Sequence, residues 1–115
     1  LFTYELQRRI TAARLDMIAA AAHPGWSATN LQKYSGFFTW LNPVFAQKPP
    51  MGALPTLYAS TAPDVKGGDY YGPGGFLEVR GYPVKVRSGK QSYDVKAAAS
   101  LWELSEKMSG IRFRI

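Results

Sequence analysis

Apolar residues recur at every fourth position where the chain begins. Phe2, Leu6 and Ile10 form the series, and Leu1 and Ala13 extend the same side. That spacing predicts a helix over residues 1 to about 14. Glu5 and Arg9 add a favourable i,i+4 pair. Neither an N-cap residue, nor a turn, nor an initiator Met precedes it, so the chain reads as if it starts inside a helix, the mark of a fragment. Met17 to Ala22 is then uniformly apolar and stops at His23-Pro24-Gly25. Apolarity without alternation predicts a strand buried on both faces of a parallel sheet. Its alanines are poor strand formers, so a helix stays open there, while the Pro-Gly stop favours the strand.

Thr29-Asn30 can cap a short helix from Leu31. Residues 34–50 form a long aromatic connection, broken at Asn42-Pro43 and Pro49-Pro50. Met51 to Thr61 reads as a helix with Leu54, Leu57 and Tyr58 on one side, closed by Ala62-Pro63-Asp64. Gly68 to Tyr71 reads as a brief strand and Gly72-Pro73-Gly74-Gly75 as the turn after it. Residues 76–91 look irregular. Ser92 or Asp94 starts a last helix with Val95, Ala98, Leu101, Trp102 and Met108 on its apolar face. Glu103 and Lys107 pair along it, and Gly110 fits the position after its end. Helix alternating with strand predicts an α/β class.

Composition narrows the chemistry. At 115 residues there is room for about one domain, and 46% apolar residues exclude a disordered chain. The absence of Cys excludes a disulfide scaffold, a Cys-ligated metal and a thiol nucleophile, and a single His excludes a multi-histidine metal site. A cytoplasmic compartment fits the absent Cys. No apolar run approaches the ~20 residues of a membrane span. The net charge of +6 is concentrated after residue 75, where acids interrupt it. A nucleic-acid face needs clustered cations, so an ordinary solvated surface is the expectation and no nucleic-acid partner is expected.

The segment His23-Pro24-Gly25-Trp26-Ser27-Ala28-Thr29 holds the best candidate chemistry. In open parallel sheets, ligands bind beyond the carboxyl ends of the strands. A Pro-Gly turn there lets backbone N–H and C=O groups approach a flat ligand edge, and Thr29 adds a hydroxyl that donates and accepts. A plain strand-to-helix turn capped by Thr29 is the other reading. His23 could act as a base, but no Ser or carboxylate stands at the spacing of an activated nucleophile, and a structural role fits it better. Gly67-Gly68 and Gly72 to Gly75 lack the Lys-Ser/Thr pair of a phosphate loop and read as turns around a strand. The aromatic loop 34–45 is either a lid over an apolar ligand or a satellite cluster packed on the sheet.

Taken in order, four stretches resemble the C-terminal half of a short-chain dehydrogenase/reductase, with the retinol-dehydrogenase-like branch nearest. Leu1 to Arg9 is similar to the helix after the family's catalytic Tyr-x-x-x-Lys. Ala22 to Leu31 resembles its Pro-Gly-x-x-x-Thr segment. Gly67 to Phe76, followed by Leu101 to Glu106, resembles the last strand, turn and terminal helix. The resemblance implies an α/β fold, the C-terminal part of a Rossmann-type doubly wound parallel sheet, with its last two strands and flanking helices. Residues 1–115 would be part of one NAD(P)-binding domain, with a substrate loop at about 31–50.

It further implies hydride transfer between NAD or NADP and an alcohol or carbonyl. Pro24, Gly25 and Thr29 would lie at the nicotinamide end, with the backbone of Trp26 and Ser27 on its carboxamide. Ser27 stands where the family commonly has an aliphatic residue. Tyr34, Phe37, Phe38 and Trp40 would face a small apolar substrate. Homo-oligomerisation through the first helix is also implied. The seven tyrosines are followed four residues on by Arg8, Phe38, Ala62, Gly74, Gly75, Val86 and Ala97, so no Tyr-x-x-x-Lys is present, nor is a Gly-rich phosphate loop. The expectation is no catalytic residue in this chain, no metal, and no activity from the 115 residues alone. A non-enzymatic interaction module using loop 34–45 is the alternative.

Overall fold

A computed structural model of the chain describes residues 1–26 and 47–114. The expected helix from Leu31 and most of loop 31–50 lie outside the described residues. Among those described, the main elements in chain order are helix α1 (Phe2–Ala12), strand β1 (Ala21–Ala22), helix α2 (Pro49–Thr61), strands β2 (Tyr70–Pro73) and β3 (Pro83–Lys85), and helix α3 (Val95–Ser109). They fall into two compact units. One comprises Leu1–Ala20, Lys66–Asp69 and Arg87–Ile115, and the other Ala21–Val65 and Tyr70–Val86.

The first unit is a helix pair. α1 packs on α3, burying Ile10 against a stripe that includes Ala98 and Trp102. Trp102 is 3% exposed. Phe2 stacks on its ring at 4.9 Å, Phe113 meets it edge-on at 5.9 Å, and the Arg9 guanidinium lies 4.5 Å from its centroid. Its indole N–H donates to Glu106 Oε1 at 3.1 Å. Helix α3 starts where Asp94 accepts from the Ala97 N–H at 3.0 Å and ends at Gly110 in the left-handed region. Two residues expected on its apolar face, Val95 and Met108, are exposed instead. They stand in its first and last turns.

Glu5 is buried in α1 and accepts from both Arg8, at 2.7 Å, and Arg9, at 2.8 Å. Burial raises its pKa, but the two arginine hydrogen bonds and charges outweigh that, so its carboxyl titrates below the ordinary value. The i,i+4 pair read from the sequence is therefore half of a three-residue cluster.

In the second unit the sheet order is β1-β2-β3. β1 runs parallel to β2, Ala21 opposite Tyr70. β2 runs antiparallel to β3, Tyr71 opposite Lys85 and Pro73 opposite Pro83. Four expectations need correction here. The strand at 17–22 shrinks to Ala21–Ala22, and Met17 and Ile18 are 59% and 54% exposed rather than buried on two faces. The strand at Gly68–Tyr71 moves on by two residues, so Gly72 and Pro73 are buried strand residues and not a turn. Residues 76–91 contain β3 and a short 3₁₀ turn at Phe76–Glu78, and a second such turn, Lys90–Tyr93, starts at their end. The sheet is consequently mixed, not purely parallel.

Helix α2 begins at Pro49 and Pro50, whose missing N–H groups fall where a helix has no intrahelical partner for them. It packs on β1 and β2 through Gly52, Pro55 and the half-buried Tyr58, whose ring lies 5.1 Å from that of Tyr71. Leu57, expected on this face, is 55% exposed. Small, flat residues let the helix approach the sheet closely, and that rotates the leucine outward. The arrangement is that of a partial Rossmann-like α/β fold.

Candidate functional site

The chain leaves β1 at its carboxyl end and turns through His23, Pro24, Gly25 and Trp26. The His23 N–H donates to the Tyr71 carbonyl at 2.9 Å, extending the ladder by one bond. Gly25 then takes φ +64°, a region disfavoured for any residue with a side chain. Space demands glycine as well. A Cβ there would lie 2.5 Å from Val79 O, 2.8 Å from Glu78 O and 2.7 Å from Pro73 Cγ. The turn is thus pressed backbone to backbone against residues 78–79.

Hydrogen bonds fix this approach. The Trp26 N–H donates to Val79 O at 2.7 Å, and the Trp26 carbonyl accepts from the Gln47 N–H at 2.8 Å. Buried Gln47 also donates through Nε2 to Pro24 O at 2.7 Å. Its Oε1 accepts from the Gly81 N–H at 3.1 Å. One side chain therefore ties together the turn after β1 and the hairpin between β2 and β3.

That hairpin tip is itself strained. Leu77 and Glu78 have φ of +50° and +55°, at a cost of about 1–2 kcal/mol each for residues with a Cβ. Glu78 Oε2 lies 3.0 Å from His23 Nε2, and the Gly25 N–H reaches His23 Nδ1 at 3.3 Å. Both ring nitrogens are engaged, which gives His23 the structural role favoured from the sequence. The ring lies over Gly72, where a Cβ would overlap it. The N–H groups of Gly74 and Gly75 bond to Tyr82 O and Arg80 O, so these glycines build a hairpin rather than a phosphate cradle.

Of the residues singled out in the sequence, Pro24, Gly25 and Trp26 meet in this turn. Ser27, Thr29, Tyr34, Phe37, Phe38 and Trp40 lie outside the described residues. Sequence reasoning missed Gln47 and Glu78. Gln47 sits between an aromatic stretch and two prolines with no local signal, and Glu78 follows a glycine-rich segment that hides it. A nicotinamide carboxamide requires one donor and acceptors from the protein. The turn offers backbone at the carboxyl end of a parallel strand, where open α/β sheets in general bind ligands. Its Trp26 N–H, however, is already given to Val79. No cluster of metal-ligating side chains occurs among the described residues, and no helix among them is long and apolar enough to cross a membrane. The first unit holds an apolar cavity of about 310 Å³, lined by Phe2, Leu6, Trp102, Ile111 and Phe113, with Glu106 its one titratable wall residue.

No protein-family model matches the chain. Curated relatives do. A short-chain dehydrogenase/reductase of Aspergillus calidoustus is 32% identical over 103 residues, covering 83% of this chain and 30% of that protein. Retinol dehydrogenase 14 of Mus musculus is 30% identical over 120 residues, covering 96% and 33%. A short chain dehydrogenase/reductase of Macrophomina phaseolina is 31% identical over 112 residues, covering 92% and 52%. The chain spans between about a third and a half of these relatives' lengths. The crystal structure of an uncharacterized protein from Mycobacterium paratuberculosis is similar with a TM-score of 0.72 and 37% identity, over 99% of this chain and 36% of that one. The fungal enzymes are as similar as the retinol dehydrogenase, so the likeness singles out no branch.

Proposed function

We propose that this chain, short-chain dehydrogenase/reductase-like in sequence and fold, is the C-terminal part of an NAD(P)-dependent oxidoreductase domain whose nicotinamide end is bordered by residues 24–29. The observation that carries this reading is the turn at Gly25. Its backbone is fixed at the carboxyl end of a parallel strand by contacts only glycine permits, and relatives match along 83–96% of the chain. The retinol-dehydrogenase-like branch and a small apolar alcohol or carbonyl substrate, met by Tyr34, Phe37, Phe38 and Trp40 in loop 31–50, belong to the same proposal.

The bound cofactor would supply or accept hydride. This chain's part is to hold its carboxamide. Because Val79 takes the Trp26 N–H, Trp26 and Pro24 act as the backing of the site. Direct contacts then fall to the Ser27 backbone and the Thr29 hydroxyl, which donates and accepts. No residue of this sequence supplies the family's Tyr and Lys, so proton transfer has no agent in the 115 residues.

The test is cofactor binding by the full-length protein, read by NAD(P)H fluorescence. Thr29→Val removes one hydrogen bond and is expected to weaken binding by about tenfold. Unchanged affinity would remove Thr29 from the site.

A further inference from the structure

Among the described residues, Gln47, Val79 and His23 hold the turn after β1, and one of these holds can change with pH. Gln47 and Val79 hold it through amide groups, which do not titrate. His23 holds it through an imidazole. The ring receives the Gly25 N–H at Nδ1, 3.3 Å away, and faces the Glu78 carboxylate with Nε2, 3.0 Å away. Only one neutral tautomer satisfies both: Nε2 carries the proton and donates to Glu78, while Nδ1 keeps a lone pair for Gly25.

We infer that His23 is the positioning residue of the Pro24–Gly25 turn, a latch that closes when its ring is neutral and releases Gly25 when the ring is protonated. Protonation puts a second N–H on Nδ1, facing the Gly25 N–H, and two donors repel. The same event strengthens the bond to Glu78, because a cation then meets a carboxylate. The ring is therefore drawn toward the hairpin tip as it lets the turn go. Among the described residues, the groups facing the ring are Glu78 from the hairpin tip and the Tyr70 phenol ring from β2, centroid to centroid 5.2 Å. Gly72 lies beneath with no side chain.

The strain at the tip supports a dedicated arrangement. Two successive residues with side chains, Leu77 and Glu78, sit in the left-handed region, a conformation that persists only where the surroundings over-determine it. Here it delivers the Glu78 carboxylate to His23 and the Val79 carbonyl to the Trp26 N–H. The inference concerns the turn. Its consequence for a cofactor rests on the function proposed above.

Two variants separate the ring's two contacts. In His23→Asn, Oδ1 replaces the Nδ1 acceptor and nothing reaches Glu78. In His23→Gln, the amide nitrogen replaces Nε2 and the acceptor for Gly25 is lost. Amide exchange of Gly25 in the full-length protein, corrected for intrinsic rate, reads the latch directly. The wild type is expected to protect Gly25 about tenfold more at pH 8 than at about pH 5. His23→Asn should protect it equally at both, and His23→Gln at neither. Imidazole ¹⁵N shifts at pH 8 should show Nε2 protonated and Nδ1 bare. Equal exchange in all three proteins, or a proton on Nδ1 at pH 8, would overturn the latch.

Calorimetry with NAD⁺ and NADP⁺ is the second arm. Affinity should fall on acidification in the wild type and stay flat in His23→Asn. If Gly25 exchange follows the expected pattern while neither nucleotide binds at any pH, the latch stands and the cofactor reading fails.

Discussion

The two compact units solve the same problem, holding a chain segment in place, by opposite means. Around Trp102 the contacts are made by large side chains: an indole covered by Phe2, Phe113 and the Arg9 guanidinium. Around Gly25 they are hydrogen bonds to the backbone, some from the Gln47 and His23 side chains, and the decisive feature is a missing side chain. The first arrangement draws its stability from buried area, which adds up gradually. The second depends on a close approach that one carbon atom abolishes. A surface built by the first means tolerates repacking, whereas a turn built by the second keeps its backbone groups at fixed places.

Three substitutions would break or sharpen this contrast. Trp102→Ala should have the largest effect, a loss of about 3–5 kcal/mol in the full-length protein by denaturant unfolding. A loss under about 1 kcal/mol would show that the indole is not a core group. Gly25→Ala comes next, at about 2–4 kcal/mol, combining left-handed strain with overlap against Val79 O. If its melting temperature matched the wild type, the backbone contact would not be the constraint it is taken for.

The smallest effect concerns Glu5 and is a matter of pH. Its carboxyl titrates below the ordinary value in the folded state. Its contribution is therefore complete above the unfolded glutamate pKa of about 4.3 and is lost as pH falls through the lower folded value. The gap in melting temperature between wild type and Glu5→Gln should narrow between about pH 6 and pH 3. A gap constant over that range would mean that burial, not the arginines, governs the group.

Legibility in the sequence followed the same division. Helices α1 and α3 were readable because a helix buries a periodic stripe, and Asp94 and Gly110 mark the ends of α3 by side-chain type and by glycine. Strand β1 was overestimated because an apolar run looks alike in a strand and in an exposed connection. β3 escaped notice because three residues, Pro83 to Lys85, are too few to show alternation. At the candidate site, Pro24 and Gly25 announced a turn. What the turn rests against did not show, since Gln47, Glu78 and Val79 are joined to it by long-range hydrogen bonds that leave no local pattern. The face of α2 was misread because Gly52 and Pro55 carry no hydrophobic bulk, yet close approach is what places them inward.

The Gly25 turn has a consequence for how this surface can diversify. Hydrogen bonds made by a backbone do not register which side chain the residue carries. Gly25 is locked, and the half-buried Trp26 is tied to Val79 and Gln47 through its peptide group. The frame is thus specified at a few positions only: Gly25 by lacking a side chain, Gln47 and His23 by the hydrogen bonds theirs make to the turn, while the remaining bonds are indifferent to sequence.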